Sequence, residues 1–278
     1  KKGLVARGIE DVQVMVWAGD GGTFDIGLQA LSGCAERNDD IIYVCYDNEA
    51  YMNTGIQRSS ATPFLSWTTT TPNPAFKDTP KKDIMAIMAA HRIPYAATAS
   101  PAFPEDFLAK MRKAGETQGL RFIHIFSPCP PGWKFPSELS VKIARLAVET
   151  RIFALYEIEK GRQHTLTVKP QGFPVSEYLK LQGRFSHLSS KEIQAIQATV
   201  EEEWAVLMAK MASSQGRRRK GLKKAKSKCR RLAIACCQWP IAFFKRIISK
   251  LVEVQIAGLF KMGSDFRVPE EKSSCLQS

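Results

Sequence analysis

Two polar loops, each placed directly after an apolar run, constrain this chain more than any other feature. The first loop, residues 19–22, follows an apolar run at residues 12–18. The second loop, residues 47–55, follows an apolar run at residues 41–46. Residues 23–37, between the loops, carry apolar side chains at helical spacing. This order predicts a strand–loop–helix–strand–loop unit with both loops at the carboxyl ends of parallel strands, where open α/β sheets bind ligands.

The rest of the chain continues the alternation of apolar runs and amphipathic stretches. Together with the opening unit, it predicts an α/β fold: a mostly parallel sheet with helices on both faces. A long loop rich in Thr, Ser and Pro, residues 59–80, interrupts the pattern, and loops of this length are usually functional or disordered. Further strands are predicted at residues 95–99, 121–126, 152–158 and 164–169, and helices at residues 81–91, 104–119, 135–150, 175–181 and 190–211.

The net charge of +13 is concentrated at the end of the chain. Residues 1–215 carry 24 basic and 23 acidic side chains, whereas residues 216–278 carry 16 basic and 4 acidic ones. We therefore predict a domain over residues 1–212 and a basic, partly apolar extension over residues 213–278. No nucleic-acid partner is expected for the main body, because its charge is nearly balanced. The extension could bind a membrane or a partner, bind nucleic acid, or have no selected function.

The side chains of the two loops indicate a divalent cation. Asp20 and Asn48 each follow a strand, and adjacent strands lie about 4.8 Å apart, so the two side chains can converge. Mg²⁺ prefers carboxylate, amide and main-chain oxygens and leaves positions free for phosphate oxygens. Asp20, Asn48 and the carbonyl of Ala50 would supply three such ligands.

The glycines of the first loop indicate a phosphate group beside that cation. Gly21 and Gly22 let backbone N–H groups approach an anion at the start of a helix, for which Thr23 is the predicted N-cap. Other glycine motifs are excluded. A dinucleotide fingerprint would need glycine where Phe24 stands, and the Gly-Lys-Ser/Thr of a Walker loop is absent. The two loops together predict a site for Mg²⁺ and a diphosphate.

Gly-Asp-Gly followed by Asn at this spacing resembles the signature of thiamine diphosphate enzymes. The surrounding sequence is similar to that of the β subunit of pyruvate:ferredoxin oxidoreductase (pyruvate synthase) and its 2-oxoacid relatives. The similar segments are GDGGTFDIGLQALSGCAERN and DNEAYMNTGIQRSSATP. The similarity covers about residues 5–211. It implies a thiamine diphosphate-binding fold over residues 1–212. Because the chain begins at Lys1 almost directly before a strand, we expect the N-terminal part of the family's domain to be missing.

The resemblance also implies an activity and its partners. The family carries out oxidative decarboxylation of a 2-oxoacid, here most simply pyruvate, to acyl-coenzyme A and CO₂, and electrons pass through 4Fe–4S clusters to ferredoxin. The implied cofactors are thiamine diphosphate, Mg²⁺ and a 4Fe–4S cluster. The implied partners are α-, γ- and δ-type subunits, ferredoxin, coenzyme A and the 2-oxoacid, in a cytoplasmic complex. The glutamate that activates the cofactor is expected from the α chain.

The resemblance assigns roles to particular residues. Cys129, in a Ser-Pro-Cys after a predicted strand, would be one thiolate ligand of a 4Fe–4S cluster. In the family the other three ligands lie upstream of the Gly-Asp-Gly strand, where this chain has no cysteine. Cys34 and Cys45 are predicted to lie in the core. The remaining assignments are Mg²⁺ at Asp20, Asn48 and Ala50, diphosphate at Gly19, Gly21, Gly22 and Thr23, and thiazolium and substrate near Tyr51, Asn53 and Thr54.

Two other functions stay open at this point. One is a thiamine-dependent decarboxylase or transketolase-like half-site without electron transfer. The other is a non-catalytic protein that binds a membrane or nucleic acid through its basic extension. The four histidines show no metal-binding spacing, and each is predicted to be structural: His91, His124, His164 and His187.

Overall fold

The sheet that carries the two loops is mostly parallel. The computed structural model describes residues 1–236, with side chains described to residue 214. Within these residues the strands lie in the order β1-β2-β4-β3-β5-β6; the first four are parallel to one another and the last two antiparallel. The predicted fold class is confirmed. The strands are β1 Met15–Gly19, β2 Ile42–Asp47, β3 Tyr95–Ala99, β4 Arg121–Phe126, β5 Tyr156–Glu159 and β6 Gln163–Leu166.

Helices cover both faces of the sheet. On β3 and β4, Ala96 and Phe122 face a core shared with α2 and α3, whereas Ala97 and Ile123 face a core shared with α4. Every residue of these two central strands is buried, which explains why most of their side chains are apolar. The described helices are α1 Lys2–Val5, α2 Leu28–Glu36, α3 Ile84–Ala90, α4 Pro104–Glu116, α5 Pro130–Trp133, α6 Ser140–Glu149, α7 Ser176–Leu179 and α8 Ser190–Cys236.

The single helix predicted at residues 23–37 is wrong, because the chain forms two helical segments there. A π-helix, Gly21–Ile26, precedes α2, and the N–H of Gly27 donates to the Gly22 carbonyl at 2.8 Å. A Cβ at Gly27 would lie 2.2 Å from that carbonyl oxygen, so this wide turn requires glycine. Wide turns of this kind are frequent at functional sites.

Several other predicted bounds also differ from the structure. The helix predicted from residue 135 begins at Ser140, after Pro136 and a short 3₁₀ turn, Ser137–Leu139. The strand predicted from residue 152 begins at Tyr156. The helix predicted to end at residue 211 continues to Cys236, because the basic run is rich in Lys, Arg and Ala, which favour helix.

Contacts between Cα atoms divide the chain into two units, Lys1–Arg217 and Arg218–Ser278. The first unit contains the sheet. The second is described as helix to Cys236, and the remainder of the predicted extension lies outside the described residues. No helix in the described part of the chain is long and apolar enough to cross a membrane. The predicted boundary at residue 213 and the role of the extension stay predictions.

Candidate active site

The two loops meet at the carboxyl ends of β1 and β2. Gly19 pairs with Tyr46 in the parallel register, so Asp20 and Asn48 leave the sheet side by side. The carboxamide oxygen of Asn48 faces only acceptors, Asp20 Oδ1 and the Ala50 carbonyl oxygen. With the carboxamide turned over, its nitrogen would donate to these two atoms at 2.9 and 2.8 Å. The structure therefore brings together the three predicted metal ligands.

The spacing of these oxygens suits Mg²⁺. The ion takes octahedral ligands at 2.0–2.1 Å, which places neighbouring ligand oxygens about 2.9 Å apart. A cation between Asp20, Asn48 and Ala50 would be contacted by the carboxamide oxygen, and without a cation the turned carboxamide donates to the same two acceptors. The donor set and its spacing therefore fit the ion.

Asp20 is enclosed by protein on the side away from Asn48. Its side chain is buried, and its Oδ2 accepts a hydrogen bond from Ser59 Oγ at 2.5 Å. Burial, followed by the negative charge of Asp47, raises the pKa of Asp20 to about 7. A divalent cation would offset both effects, because it stabilises the ionised carboxylate.

In the first loop, Gly21 packs against another side chain, whereas Gly22 has free space beside it. A Cβ at Gly21 would lie 2.2 Å from the ring of Tyr51, whose hydroxyl donates to the Gly21 carbonyl at 3.1 Å. A Cβ at Gly22 would meet no atom within 4 Å. Both residues lie in the first turn of the π-helix, whose N–H groups have no partner within the helix. The backbone at Gly22 is therefore accessible to a phosphate group.

Thr23 is not the N-cap that the sequence predicts. Asp20 occupies that position of the π-helix, and the Thr23 hydroxyl donates to the Gly19 carbonyl at 2.8 Å. It also lies 3.2 Å from the Tyr43 hydroxyl, and the side chain is fully buried. Any contact of Thr23 with a diphosphate would therefore come from its backbone N–H.

The three residues predicted near the substrate lie on the second loop but differ in exposure. Tyr51 is half-buried, and its hydroxyl also lies 3.3 Å from Asp25 Oδ2, which ties the two loops together. Asn53 and Thr54 are exposed at the tip of the loop. The Thr54 hydroxyl donates to Gln57 Oε1 at 2.5 Å. The structure therefore places Tyr51 against the glycine loop and leaves Asn53 and Thr54 accessible.

A buried charge network behind the second loop was not predicted from the sequence. Asp47 Oδ2 lies 2.6 Å from Lys81 Nζ and 2.7 Å from His124 Nε2. Glu49 Oε1 lies 3.0 Å from the same Lys81 Nζ, and Glu49 Oε2 lies 2.7 Å from Arg184 Nη2. The two acids flank Asn48 in the sequence, and this is the one signal that could have indicated their role.

The network keeps Asp47 ionised. Burial alone would raise the pKa of Asp47, but the ammonium of Lys81 and the hydrogen bond from His124 outweigh it and hold this pKa at about 2. Burial alone would lower the pKa of Lys81, but the carboxylates of Asp47 and Glu49 outweigh it and raise this pKa above its ordinary value. The ion pairs of Lys81 with Asp47 and Glu49 therefore hold the start of the second loop in place.

The candidate cluster ligand, Cys129, caps α5 a short distance from the second loop. Its carbonyl accepts the N–H of Trp133 at 2.9 Å, and its half-buried side chain packs on the core together with Met52. Cys45 is fully buried and Cys34 packs on the core, so these two predictions are confirmed. Among the described residues, no group of three or more His, Cys, Asp or Glu is arranged to hold a metal ion.

Comparison with known families agrees with this geometry. The family model described as thiamine pyrophosphate enzyme, C-terminal TPP binding domain, matches residues 4–125, which include both loops. The fold and the site thus define a thiamine pyrophosphate-binding domain.

Individual relatives narrow the assignment. Ketoisovalerate oxidoreductase subunit VorB of Pyrococcus horikoshii is 51% identical over 73% of this chain and 67% of its own length. Pyruvate synthase subunit PorB of Methanothermobacter thermautotrophicus is 54% identical over 72% of this chain and 71% of its own length. The chain belongs to the 2-oxoacid:ferredoxin oxidoreductase family, among its β subunits.

One solved structure is also similar. A 2-oxoglutarate:ferredoxin oxidoreductase from Magnetococcus marinus, with 2-oxoglutarate, coenzyme A and succinyl-CoA bound, aligns with a TM-score of 0.43. The alignment has 26% sequence identity and covers 52% of this chain and 55% of that one. The family assignment rests on the sequence relatives instead.

Proposed function

We propose that this protein is the β subunit of a pyruvate-oxidising 2-oxoacid:ferredoxin oxidoreductase and holds Mg²⁺ and thiamine diphosphate between its two loops. The observation that carries the proposal is the convergence of Asp20 Oδ1, the Asn48 carboxamide and the Ala50 carbonyl oxygen, where either orientation of the carboxamide brings it against the other two atoms. The family model that covers both loops supports the cofactor.

The residues of the first loop would hold the diphosphate. The open backbone at Gly22 and the first turn of the π-helix offer N–H groups to an anion, while Asp20, Asn48 and Ala50 hold the cation that neutralises it. When bound, thiamine diphosphate supplies the carbon nucleophile and the electron sink for loss of CO₂ from the 2-oxoacid. Gly19, Gly21, Gly22 and Thr23 form the diphosphate side of the site.

The residues of the second loop would orient the substrate. Tyr51 fixes this loop against Gly21 and Asp25, so the accessible Asn53 and Thr54 side chains start from a rigid base. We assign both to hydrogen bonds with the 2-oxoacid near the thiazolium ring. Their short polar side chains suit a small acid such as pyruvate.

The electron path would begin at Cys129. A 4Fe–4S cluster needs four thiolates, and Cys129 would supply one. The described residues by themselves do not hold a complete set of ligands, and we assign the other three thiolates to the segment that precedes the first strand in the family. Electrons would reach ferredoxin, and the acyl group would pass to coenzyme A, in an assembly with α-, γ- and δ-type subunits.

We place this complex in the cytoplasm. The three cysteines among the residues with described side chains are free thiols, as is typical of proteins kept in a reducing compartment.

The test is production of the full-length protein together with its partner subunits, followed by a ferredoxin-reduction assay. We expect pyruvate to support reduction better than 2-oxoisovalerate or 2-oxoglutarate, with coenzyme A required. No reduction with any 2-oxoacid would overturn the proposed activity. Asp20→Ala should abolish Mg²⁺-dependent binding of thiamine diphosphate, and unchanged affinity would overturn the metal assignment.

A further inference from the structure

Arg184 lies far from the two loops in sequence but is buried directly behind the second one. Its Nη2 lies 2.7 Å from Glu49 Oε2 and 3.2 Å from the Tyr178 hydroxyl, and its Nε donates to Gln182 Oε1 at 2.9 Å. Its guanidinium carbon lies 3.8 Å from the centre of the Trp133 ring. Only 2% of the Arg184 surface is exposed, so the residue serves contacts within the protein.

The first of these contacts reaches the metal ligands through Glu49. This residue stands between Asn48 and Ala50 and has a backbone φ of +66°, a conformation that residues other than glycine rarely adopt. Its carbonyl accepts a hydrogen bond from Thr62 Oγ1 at 2.6 Å. Because the strained turn aims the Asn48 side chain and the Ala50 carbonyl at Asp20, whatever fixes Glu49 also fixes the metal ligands.

The second contact reaches the same turn through Trp133. The indole Nε1 donates to the Asn48 carbonyl oxygen at 2.8 Å, and the flat guanidinium of Arg184 stacks on the indole ring. Arg184 thus contacts the turn at two points. It pairs directly with the Glu49 carboxylate, and through Trp133 it holds the main-chain carbonyl of Asn48. A lysine could supply the charge but neither the stacking nor the Nε hydrogen bond.

We propose that Arg184 is a positioning residue that sets the geometry of the Mg²⁺ ligands Asn48 and Ala50 through Glu49 and Trp133. This inference rests on the proposed function, because it presupposes that the turn binds Mg²⁺ with thiamine diphosphate. Residues that support metal ligands from behind typically change metal affinity 10- to 100-fold when they are replaced.

The test compares Arg184→Met and Arg184→Lys with a matched control in the complete co-produced complex. Arg121→Met is the control, because Arg121 is as buried as Arg184 and pairs with Asp40 at the opposite end of β4 from the loops. The metal and cofactor are removed, and Mg²⁺ affinity is measured by calorimetry at a fixed thiamine diphosphate concentration. Thermal unfolding of each variant is recorded in parallel.

We expect Arg184→Met to weaken Mg²⁺ binding about 10- to 100-fold, Arg184→Lys to weaken it about tenfold, and Arg121→Met to change it less than twofold. Arg184→Lys keeps the charge opposite Glu49, so it provides the result if Arg184→Met does not fold. Wild-type affinity in Arg184→Lys, or equal weakening in the Arg121 control, would overturn the inference. Failure of the wild-type complex to bind Mg²⁺ and thiamine diphosphate would instead overturn the proposed function.

Discussion

Lys81 Nζ lies 2.6 Å from Asp47 Oδ2, at the point where β2 passes into the second loop. The same ammonium lies 3.0 Å from Glu49 Oε1, so one lysine pairs with both acids that flank Asn48, and Arg184 supplies the second positive charge to Glu49. The two acids are almost completely buried, and neither could keep its charge at this position without a partner. The second loop therefore depends on the ammonium of Lys81, which the apolar pattern of the strands does not predict.

Lys81→Met should destabilise the protein strongly. Lys81 is partly exposed but Asp47 is fully buried, so loss of the ammonium leaves a buried carboxylate without its cation and should cost up to about 3–5 kcal/mol. Lys113→Met is the control, because Lys113 pairs with Glu157 and Glu159 but is more than one-third exposed. It should cost less than about 1 kcal/mol. Denaturant unfolding measures both, and equal losses would contradict the importance assigned to Lys81.

Gly21 and Gly22 of the first loop should respond in opposite ways to substitution by alanine. Gly21→Ala places a Cβ 2.2 Å from the Tyr51 ring, so the ring must move, at a cost of about 1–3 kcal/mol. Gly22→Ala meets no atom and replaces glycine in a helix, so folding stability should rise by about 0.5–1 kcal/mol. The new methyl group would nevertheless occupy the space offered to the diphosphate.

Unfolding measurements and thiamine diphosphate titrations of both alanine variants separate these effects. Weaker cofactor binding is expected for Gly22→Ala in a protein at least as stable as the wild type. Full affinity in this variant would place the diphosphate away from Gly22.

The meeting of Asp20 and Asn48 could be predicted from the sequence because adjacent parallel strands bring their carboxyl ends together. The position of the Thr23 hydroxyl could not be predicted, because the helical segment begins earlier than the apolar spacing indicates, with Asp20 at the N-cap. A regular helix was the simpler interpretation of the same apolar spacing.

The charge network was beyond prediction for a different reason. Lys81 is separated by 34 positions in the sequence from Asp47, and Arg184 by 135 from Glu49. Neither separation along the sequence follows from helical or strand periodicity, since both contacts arise from the path of loops and short turns. An acid on each side of Asn48 indicates that buried cations are needed but not which residues supply them.

Lys77 should make stability depend on pH in the alkaline range. Burial, aided by the positive charges of Arg58 and Lys81, lowers the pKa of Lys77 from 10.5 to about 8. Between these two values the unfolded chain binds more protons than the folded one, so stability rises with pH, by up to about 3 kcal/mol. Below pH 8 the folded protein bears the full cost of the buried charge.

Lys77→Met should remove this rise, which unfolding measured at several pH values between 7 and 10.5 would detect. Lys191→Met, at an exposed position of α8, is the control and should keep the wild-type profile. A Lys77→Met profile parallel to that of the wild type would show that the Lys77 ammonium is not penalised by burial. The absolute stability of Lys77→Met will also change, because the substitution removes the hydrogen bonds that Lys77 Nζ donates to the carbonyls of Thr62 and Pro80.

Cys129→Ser should lower the iron and sulfide content of the co-produced complex by one cluster without unfolding this subunit. The thiol is only half-buried and caps a short helix through its backbone carbonyl, which serine retains. Loss of one thiolate should leave an incomplete ligand set for a 4Fe–4S cluster. Cys34→Ser is the matched control, because Cys34 is also half-buried but lies on α2. Chemical analysis and the electron paramagnetic resonance spectrum of the reduced complex provide the measurement, and unchanged iron content in Cys129→Ser would exclude Cys129 as a ligand.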